Sequence, residues 1–271
     1  MSRVLFGIFN HHRNEITEEL LVGTKYQEVP IDILIVVHNQ VDYLKKCVES
    51  IFQHTTNFKL YIWDNGSDEE TKLYLNSLLD VAEQIVIVTS EANSGFIKPN
   101  NSLASMGSNP YLVLLNSDTE VMQGWKEPLV AWLQGHPNIA ATGYQGCKLD
   151  ENFKGGLISF GNDVDYISGW CLCLPRKIYD EVGLFDEEHL EFAYAEDCDF
   201  SLRLQEQGYQ IYAFHMTRVA HHENKTILAV AKDRPQWLQE HFDKNHDYLR
   251  RRWADFFARQ KAKFTVGENG V

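Results

Sequence analysis

The feature that most constrains this chain is the β-branched run Ile31-Asp32-Ile33-Leu34-Ile35-Val36-Val37, which ends in polar His38-Asn39 and passes into a helical pattern. A short strand that is apolar on both faces suits the interior of a parallel sheet covered by helices on either side. The pattern then repeats. Residues 42–53 have helical spacing, with Leu44, Val48, Ile51 and Phe52 on one face. Further strands are predicted at 59–63, 84–88 and 111–115, and further helices at 70–79, from about Asn100, and at 125–133. Strands and helices alternating at this spacing predict an α/β fold with a mostly parallel central sheet flanked by helices. Ligands of such sheets bind beyond the carboxyl ends of the strands. The polar clusters His38-Asn39, Asp64-Asn65, Asn93 to Asn101 and Asn116-Ser117-Asp118 fall at those ends and mark one candidate site.

The second half is less regular. It reads as a strand over 167–174, a short helix over 176–181, a longer helix over 197–207 closed by Gly208, and a strand over 210–214 followed by Val219-Ala220-His221-His222. The character changes again at 232–263, where nine basic residues meet five acidic ones for a net +4. Trp237, Phe242, Tyr248, Trp253, Phe256 and Phe257 lie in the same stretch. The expected division is an N-terminal extension (1–30), an α/β domain (31–230) and a basic aromatic helical tail (231–271). Two readings of the tail stay open: aromatics packed on the body, or a basic amphipathic helix resting on an anionic membrane or a partner.

Charge decides what kind of ligand the site can take. The chain of 271 residues has a formal net charge of −13, so with +4 in the tail segment the rest carries −17. That excludes the basic footprint of a nucleic-acid-binding protein. A phosphate ligand would need backbone N–H groups, a few placed cations or a metal ion. The five cysteines (Cys47, Cys147, Cys171, Cys173, Cys198) are scattered without a C-x-x-C pair, which argues against a disulfide framework or a four-cysteine zinc site. The apolar stretch Met1 to Phe9 is too short for a signal peptide core, and no apolar run approaches the roughly 18 residues of a spanning helix. The expected location is the cytoplasm, with peripheral contact at the inner membrane face if the tail is an anchor.

Four clusters can carry chemistry. Asn116-Ser117-Asp118-Thr119-Glu120 delivers acidic groups at the end of a strand, which suits a hard divalent cation bound through oxygen. Tyr194-Ala195-Glu196-Asp197-Cys198-Asp199 places three carboxylates in four residues at a helix start. That is either a capping arrangement favoured by the helix dipole or a carboxyl pair tuned for general base work. His221 or His222, after a strand, can supply a nitrogen ligand to the same metal. In Asn93 to Asn101, Gly95 permits an unusual backbone angle, Asn100-Asn101 suggests capping, and Lys98 near a helix start can face a phosphate. Neither G-x-x-x-x-G-K-[ST] nor G-x-G-x-x-G is present.

The ordered set Val36-Val37-His38-Asn39, Trp63-Asp64-Asn65-Gly66-Ser67, Asn93-x-Gly95-Phe96 with Asn100-Asn101, Leu115 to Val121, Val182 to Asp186, Glu196-Asp197-x-Asp199-x-x-x-Arg203 and Val219-x-His221 closely resembles the family 2 glycosyltransferases of GT-A fold, above all their rhamnosyltransferase-like, polysaccharide-building branch. The resemblance spans about 31–224. It implies inverting transfer of a sugar from a UDP-, dTDP- or GDP-linked donor to a hydroxyl of a glycan, lipid-linked or other acceptor, assisted by Mn²⁺ or Mg²⁺. By the same resemblance Val37, His38, Asn39, Asp64 and Asn65 would hold the nucleoside, and Gly95, Phe96, Lys98 and Asn101 would line the donor side. Asn116-Ser117-Asp118 falls on the family's D-x-D, with Asn116 replacing its first acid. Asp118 and His221 would bind metal, and Asp197, next to Glu196, falls on the catalytic base. Gly169-Trp170 lies on the acceptor side, where Trp170 either stacks on a sugar or packs in the core. The alternatives are a sugar-phosphate nucleotidyltransferase, whose glycine-rich entry motif is absent from 31–40, and a non-catalytic module that binds nucleotide sugars.

Overall fold

The computed structural model describes residues 26–267 except 81, 151–152, 154–155, 216–217, 223–231 and 233, with backbone alone for 259–267. Most of the expected N-terminal extension therefore lies outside the described residues. The β-branched run forms strand β1 (Ile31–Val37), and its pleat explains why it is apolar throughout. Ile31, Ile33, Ile35 and Val37 point into one core, whereas Leu34 and Val36 point into the other. Helices α1 (Val41–His54), α2 (Glu69–Leu79) and α4 (Lys126–Gly135) cover the first face. The second is covered by α3 (Ile97–Met106), α5 (Arg176–Val182), α6 (Glu196–Glu206) and the C-terminal α7 (Pro235–Gly267).

The remaining strands of the main sheet are β2 (Phe58–Asn65), β3 (Ile85–Ser90), β4 (Tyr111–Leu115), β6 (Ile139–Gly143), β10 (Cys171–Pro175) and β11 (Gln210–Ala213), in the order β11-β6-β10-β4-β1-β2-β3. Every neighbouring pair is parallel except those made by β10, which runs against both β4 and β6. This is the expected mostly parallel sheet. The reversal of β10 has a functional consequence, because its amino end meets the carboxyl ends of the others, and Trp170 O accepts from Asn116 N at 2.9 Å. Short strands complete the molecule: β5 (Thr119–Val121) pairs with β12 (Val219–His221), and β7 (Gly146–Cys147) lies between β8 (Ile158–Ser159) and β9 (Tyr166–Ile167).

Several sequence expectations change in detail. The strand expected over 167–174 is two, β9 and β10, broken at Ser168-Gly169-Trp170 where the chain turns through the sheet edge. Helix α3 begins at Ile97, so Asn100 and Asn101 sit inside it rather than capping it. Asn101 instead ties down the 185 turn, donating from Nδ2 to Phe185 O (2.9 Å) and accepting from Phe185 N (3.0 Å). Phe52 is exposed and packs edge-to-face on Phe58 rather than joining the core face of α1. All five cysteines are free and buried, as small core hydrophobes are.

The aromatic residues of α7 whose surroundings are described turn toward the body. Leu249, Trp253 and Phe256 are buried in the same core as α6. Of the helix's cations, Lys244 pairs with Glu191, Arg250 with Asp247, and Arg252 lies within 3.7 Å of Asp186 and 3.5 Å of Asp199. Any contact of 232–263 with an anionic surface would have to use its other basic groups. Among the described residues no helix is long and apolar enough to cross a membrane.

At the amino edge of the sheet, away from the polar clusters, Asp32 is fully buried yet satisfied. It accepts from Arg176 Nη2 (2.7 Å), Asn109 N (2.9 Å) and Asn109 Nδ2 (2.8 Å). Asp32→Ala would strand the Arg176 guanidinium in the interior, and the expected loss is about 3 kcal/mol of unfolding free energy. Urea denaturation monitored by tryptophan fluorescence measures it.

Candidate active site

The register of the sheet aligns the polar ends: Val37 lies opposite Asp64, and Leu34 opposite Leu114. His38, Asn65 and Asn116 therefore emerge at one edge. The corner between β1 and β2 is built by side chains that close turns. Asp64 Oδ1 accepts from Ser67 N (2.9 Å), Ser67 Oγ from Asn39 N (2.9 Å), and Asn39 Oδ1 from Asp68 N (2.7 Å). These bonds hold Asn39 and Gln40 in the left-handed region at φ 59° and 61°. His38 Nδ1 bonds Asn65 O at 3.0 Å, which orients its ring.

Asn65 is the hub of the next layer. Its Nδ2 donates to Asn93 Oδ1 (2.9 Å) and Gly95 O (2.7 Å), and its Oδ1 accepts from Ser94 N (2.8 Å) and Ser94 Oγ (3.1 Å). One buried amide thus binds the end of β2 to the loop before α3 and leaves none of its polar capacity unused. Gly95 then lets that loop touch the segment before α6. With φ at 85°, its position would put a Cβ 2.3 Å from Phe192 O. The close approach lets Phe96 N donate to Phe192 O at 2.6 Å.

On the β4 side, Asp118 Oδ1 lies 3.2 Å from His221 Nε2, brought there by the antiparallel pairing of β5 and β12. The imidazole stacks on Trp170 (4.7 Å between centroids, 15° between planes), and Trp170 Nε1 donates to Gln145 Oε1 at 3.2 Å. Despite that proximity Nε2 of His221 is buried without a hydrogen bond. A buried ring nitrogen without a hydrogen bond, 3.2 Å from a carboxylate oxygen, fits a pair of metal ligands. Among the described residues no group of three or more His, Cys, Asp or Glu side chains gathers there, so a cation on this pair needs further ligands from a diphosphate or water. Glu120 and His222 are turned aside and bond each other at 2.7 Å.

Glu196 and Asp197 open α6, where the helix N-terminus favours negative charge. Ala195, the capping residue, has no side-chain cap, and of the two acids Asp197 takes up a first-turn N–H. Asp197 Oδ2 accepts from Gly169 N (3.0 Å) and Oδ1 from Cys198 N (2.8 Å). Glu196 is buried with Oε2 unbonded. Burial, then the neighbouring Asp197 carboxylate, pushes Glu196 up to about 8. Burial also raises Asp197, against the opposing pull of the two backbone N–H groups.

All of these groups face one cleft of about 240 Å³. Of the residues singled out in the sequence, it is lined by His38, Asn65, Gly95, Phe96, Asn116, Ser117, Asp118, Gly169, Trp170, Glu196, Asp197 and His221. Val37, Asn39, Asp64 and Asn101 stand behind its wall as framework, and Lys98 is exposed outside it. Lys98 is the second residue of α3. Sequence reasoning missed Ser168, Phe192 and Ala193, which line the wall as well. Phe192 left no signal, since an aromatic residue at φ 61° is unforeseeable from its type.

With this geometry in hand, known proteins are informative. The model of glycosyl transferase family 2 matches residues 32–188, and that of glycosyl transferase family group 2 matches 111–267. The chain belongs to glycosyl transferase family 2. Among curated proteins the family 2 chain is 25% identical to y4gI of Sinorhizobium fredii, over 82% of this chain and 27% of that protein. Among solved structures it is similar to GalNAc-T7 with UDP, GalNAc and Mn²⁺ (TM-score 0.63, 16% identity, 79% of this chain and 53% of that one). It is also similar to the mannosyltransferase PcManGT of Pyrobaculum calidifontis with GDP-Man and Mn²⁺ (TM-score 0.60, 12% identity, 83% and 68%). These likenesses establish the GT-A fold. The family 2 chain spans 13% to 56% of the length of the curated relatives it matches.

Two outcomes follow from the site geometry. Gly95→Ala drives a Cβ into Phe192 and forces a left-handed alanine, and is expected to cost about 2–3 kcal/mol in a denaturation experiment. Glu196 binds its proton more tightly folded than unfolded, so its contribution to stability is intact below the ordinary carboxyl range and is lost as pH rises toward 8. Glu196→Gln should therefore exceed the native chain in stability by at least about 1 kcal/mol at pH 8. That gain should vanish near pH 4, as thermal unfolding across the range will report.

Proposed function

We propose that the chain transfers a sugar, with inversion, from a nucleotide-diphosphate donor to an acceptor hydroxyl, with Asp197 as general base. The observation that carries this reading is the pair of unequal carboxyls, buried Glu196 and half-buried Asp197, in the same cleft as Asp118 and His221. Two adjacent acids do not ionise together out of water, and their protons leave in two steps that belong to the pair. Glu196 rises to about 8, so it keeps its proton near neutral pH, while the N–H groups of Gly169 and Cys198 oppose the rise of Asp197 and favour its carboxylate form. The Asp197 carboxylate is held in one orientation by Gly169 N and Cys198 N, so it can receive a proton without first being ordered.

In the step itself, the acceptor oxygen forms a bond to the anomeric carbon as the bond from that carbon to the diphosphate breaks on the opposite side. The acceptor's proton passes to Asp197, and a nucleoside diphosphate leaves. Asp118 and His221 are the residues that would hold Mn²⁺ or Mg²⁺; when bound, the cation would neutralise charge on the departing diphosphate. His38 and Asn65, at the β1 and β2 ends, would face the nucleoside, and Gly169 and Trp170 the acceptor. Trp170 is packed against His221, so its contribution is to hold that ring rather than to offer a free stacking face.

The UDP and GDP-Man of the similar structures support a donor among UDP-, dTDP- and GDP-linked hexoses or deoxyhexoses. The rhamnosyl-type donor and a glycan or lipid-linked acceptor in polysaccharide building rest on the motif resemblance. Work in the cytoplasm agrees with five unpaired thiols.

A panel of UDP-, dTDP- and GDP-sugars with Mn²⁺ or Mg²⁺, read by released nucleoside diphosphate and by the product's anomeric configuration, tests this. Asp197→Asn should lower turnover by about 10²–10⁴-fold with donor affinity retained, and EDTA should abolish transfer. Transfer at the native rate by Asp197→Asn would remove the base, and transfer unaffected by EDTA would remove the metal.

A further inference from the structure

Between Glu191 and Ala195 the cleft wall is an irregular segment in a conformation it would not keep unaided. Phe192, Tyr194 and Ala195 have φ of 61°, 72° and 72°, the left-handed region that non-glycine residues avoid. Such backbone persists only where its surroundings over-determine it. We propose that Asn245, on the C-terminal helix α7, is the positioning residue that fixes this segment and so aims Glu196 and Asp197 into the cleft.

Asn245 is completely buried. Its Oδ1 accepts from Glu191 N at 3.0 Å, while its Nδ2 is turned to the carbonyls of Glu191 (2.8 Å), Ala193 (3.0 Å) and Tyr194 (3.0 Å). The carbonyl omitted from that set, Phe192 O, is taken from the opposite side by Phe96 N at 2.6 Å. Four consecutive carbonyls are thus pinned, three by one side chain on α7 and one by the start of α3. An asparagine amide is suited to this because it is short and offers both an acceptor and two donors. Aromatic packing follows the same path: Phe192 meets Trp237 edge-on at 4.7 Å, and Tyr194 meets Phe242 at 5.4 Å. The C-terminal helix is therefore the back wall of the catalytic cleft, although it contributes no lining residue to it.

The same helix is attached to α6 by a second contact that does not involve the segment. Trp253 Nε1 donates to the buried Asp199 Oδ1 at 3.0 Å. Asn245→Asp and Trp253→Phe therefore separate holding the segment from holding the helix. Asn245→Asp keeps the acceptor to Glu191 N but turns a carboxylate oxygen toward three carbonyls; Trp253→Phe removes the donor to Asp199 and part of the indole's core packing while leaving the bonds of Asn245 to the segment in place.

The experiment compares full-length native, Asn245→Asp and Trp253→Phe chains by hydrogen exchange of the 188–197 peptide and by turnover with the nucleotide-sugar panel. In Asn245→Asp, exchange of 188–197 should speed up at least tenfold while that of 31–37 is unchanged. Turnover should fall at least tenfold with donor KM within twofold. In Trp253→Phe, melting should drop while exchange of 188–197 and turnover stay within twofold of native. Asn245→Gln, which keeps the amide on a longer stem, takes the place of Asn245→Asp if the latter does not fold. If both unfold, Asn245 is a fold residue and the proposal fails. It fails equally if exchange of 188–197 is unchanged, or if an active enzyme tolerates the loosened segment. The turnover arm rests on the proposed transferase reaction and the exchange arm does not. Absence of transfer by the native chain from any donor would overturn that reaction and leave exchange to decide the role of Asn245.

Discussion

Two adjacent carboxyl groups, Glu196 buried and Asp197 half-buried, stand at the first turn of α6, and among the described residues no ion pair reaches either. Desolvated acids are costly, and the surroundings supply limited relief. The helix N-terminus offers partial positive charge, Gly169 N and Cys198 N bond Asp197, and Glu196 is left to hold a proton. That unequal provision is what sets two like groups apart. The structure around α6 fixes the conditions under which the inequality persists.

Those conditions are set by backbone more than by side chains. The strand that runs against the rest of the sheet, β10, brings Gly169 to the edge where the parallel strands end, so a backbone N–H from the turn before β10 reaches Asp197. Gly95 allows the loop after β3 to meet the 191–195 segment at backbone distance. The left-handed residues of that segment lead into α6 at the angle the acids require. Opposite stands the second pair, Asp118 and His221, which β5 and β12 join from positions a hundred residues apart. The cleft is a convergence of several separate segments on one sheet edge, as the general rule for open α/β sheets anticipates.

Much of this was legible in the chain. β1 announced itself through branched apolar residues on both faces, and the helices through their spacing. The motifs around Asp118, Glu196-Asp197 and His221 carried the family resemblance, because the order and spacing of their polar residues are specific in combination. The errors have physical sources too. Asn100-Asn101 resembled a cap, but helix α3 starts earlier and uses Asn101 to bind Phe185. Lys98 looked like a phosphate ligand by its place near a helix start, yet a helix turns its second residue wherever the helix axis dictates. The continuous apolar stretch 167–174 hid a break, since burial on both sides of Gly169 masks a change of strand.

The sequence by itself determined the layered α/β body, the family, and which residue types gather at the carboxyl edge of the sheet. Periodicity and local motifs encode these directly. Tertiary structure alone decided that the C-terminal helix closes the back of the cleft. Its basic and aromatic composition was also consistent with a membrane-facing surface. Its seat on the body is set by burial of Leu249 and Trp253 against α6 and by a single asparagine matched to the carbonyls of a distant segment. Contacts of that kind depend on where two stretches meet in space, which the order of residues does not state.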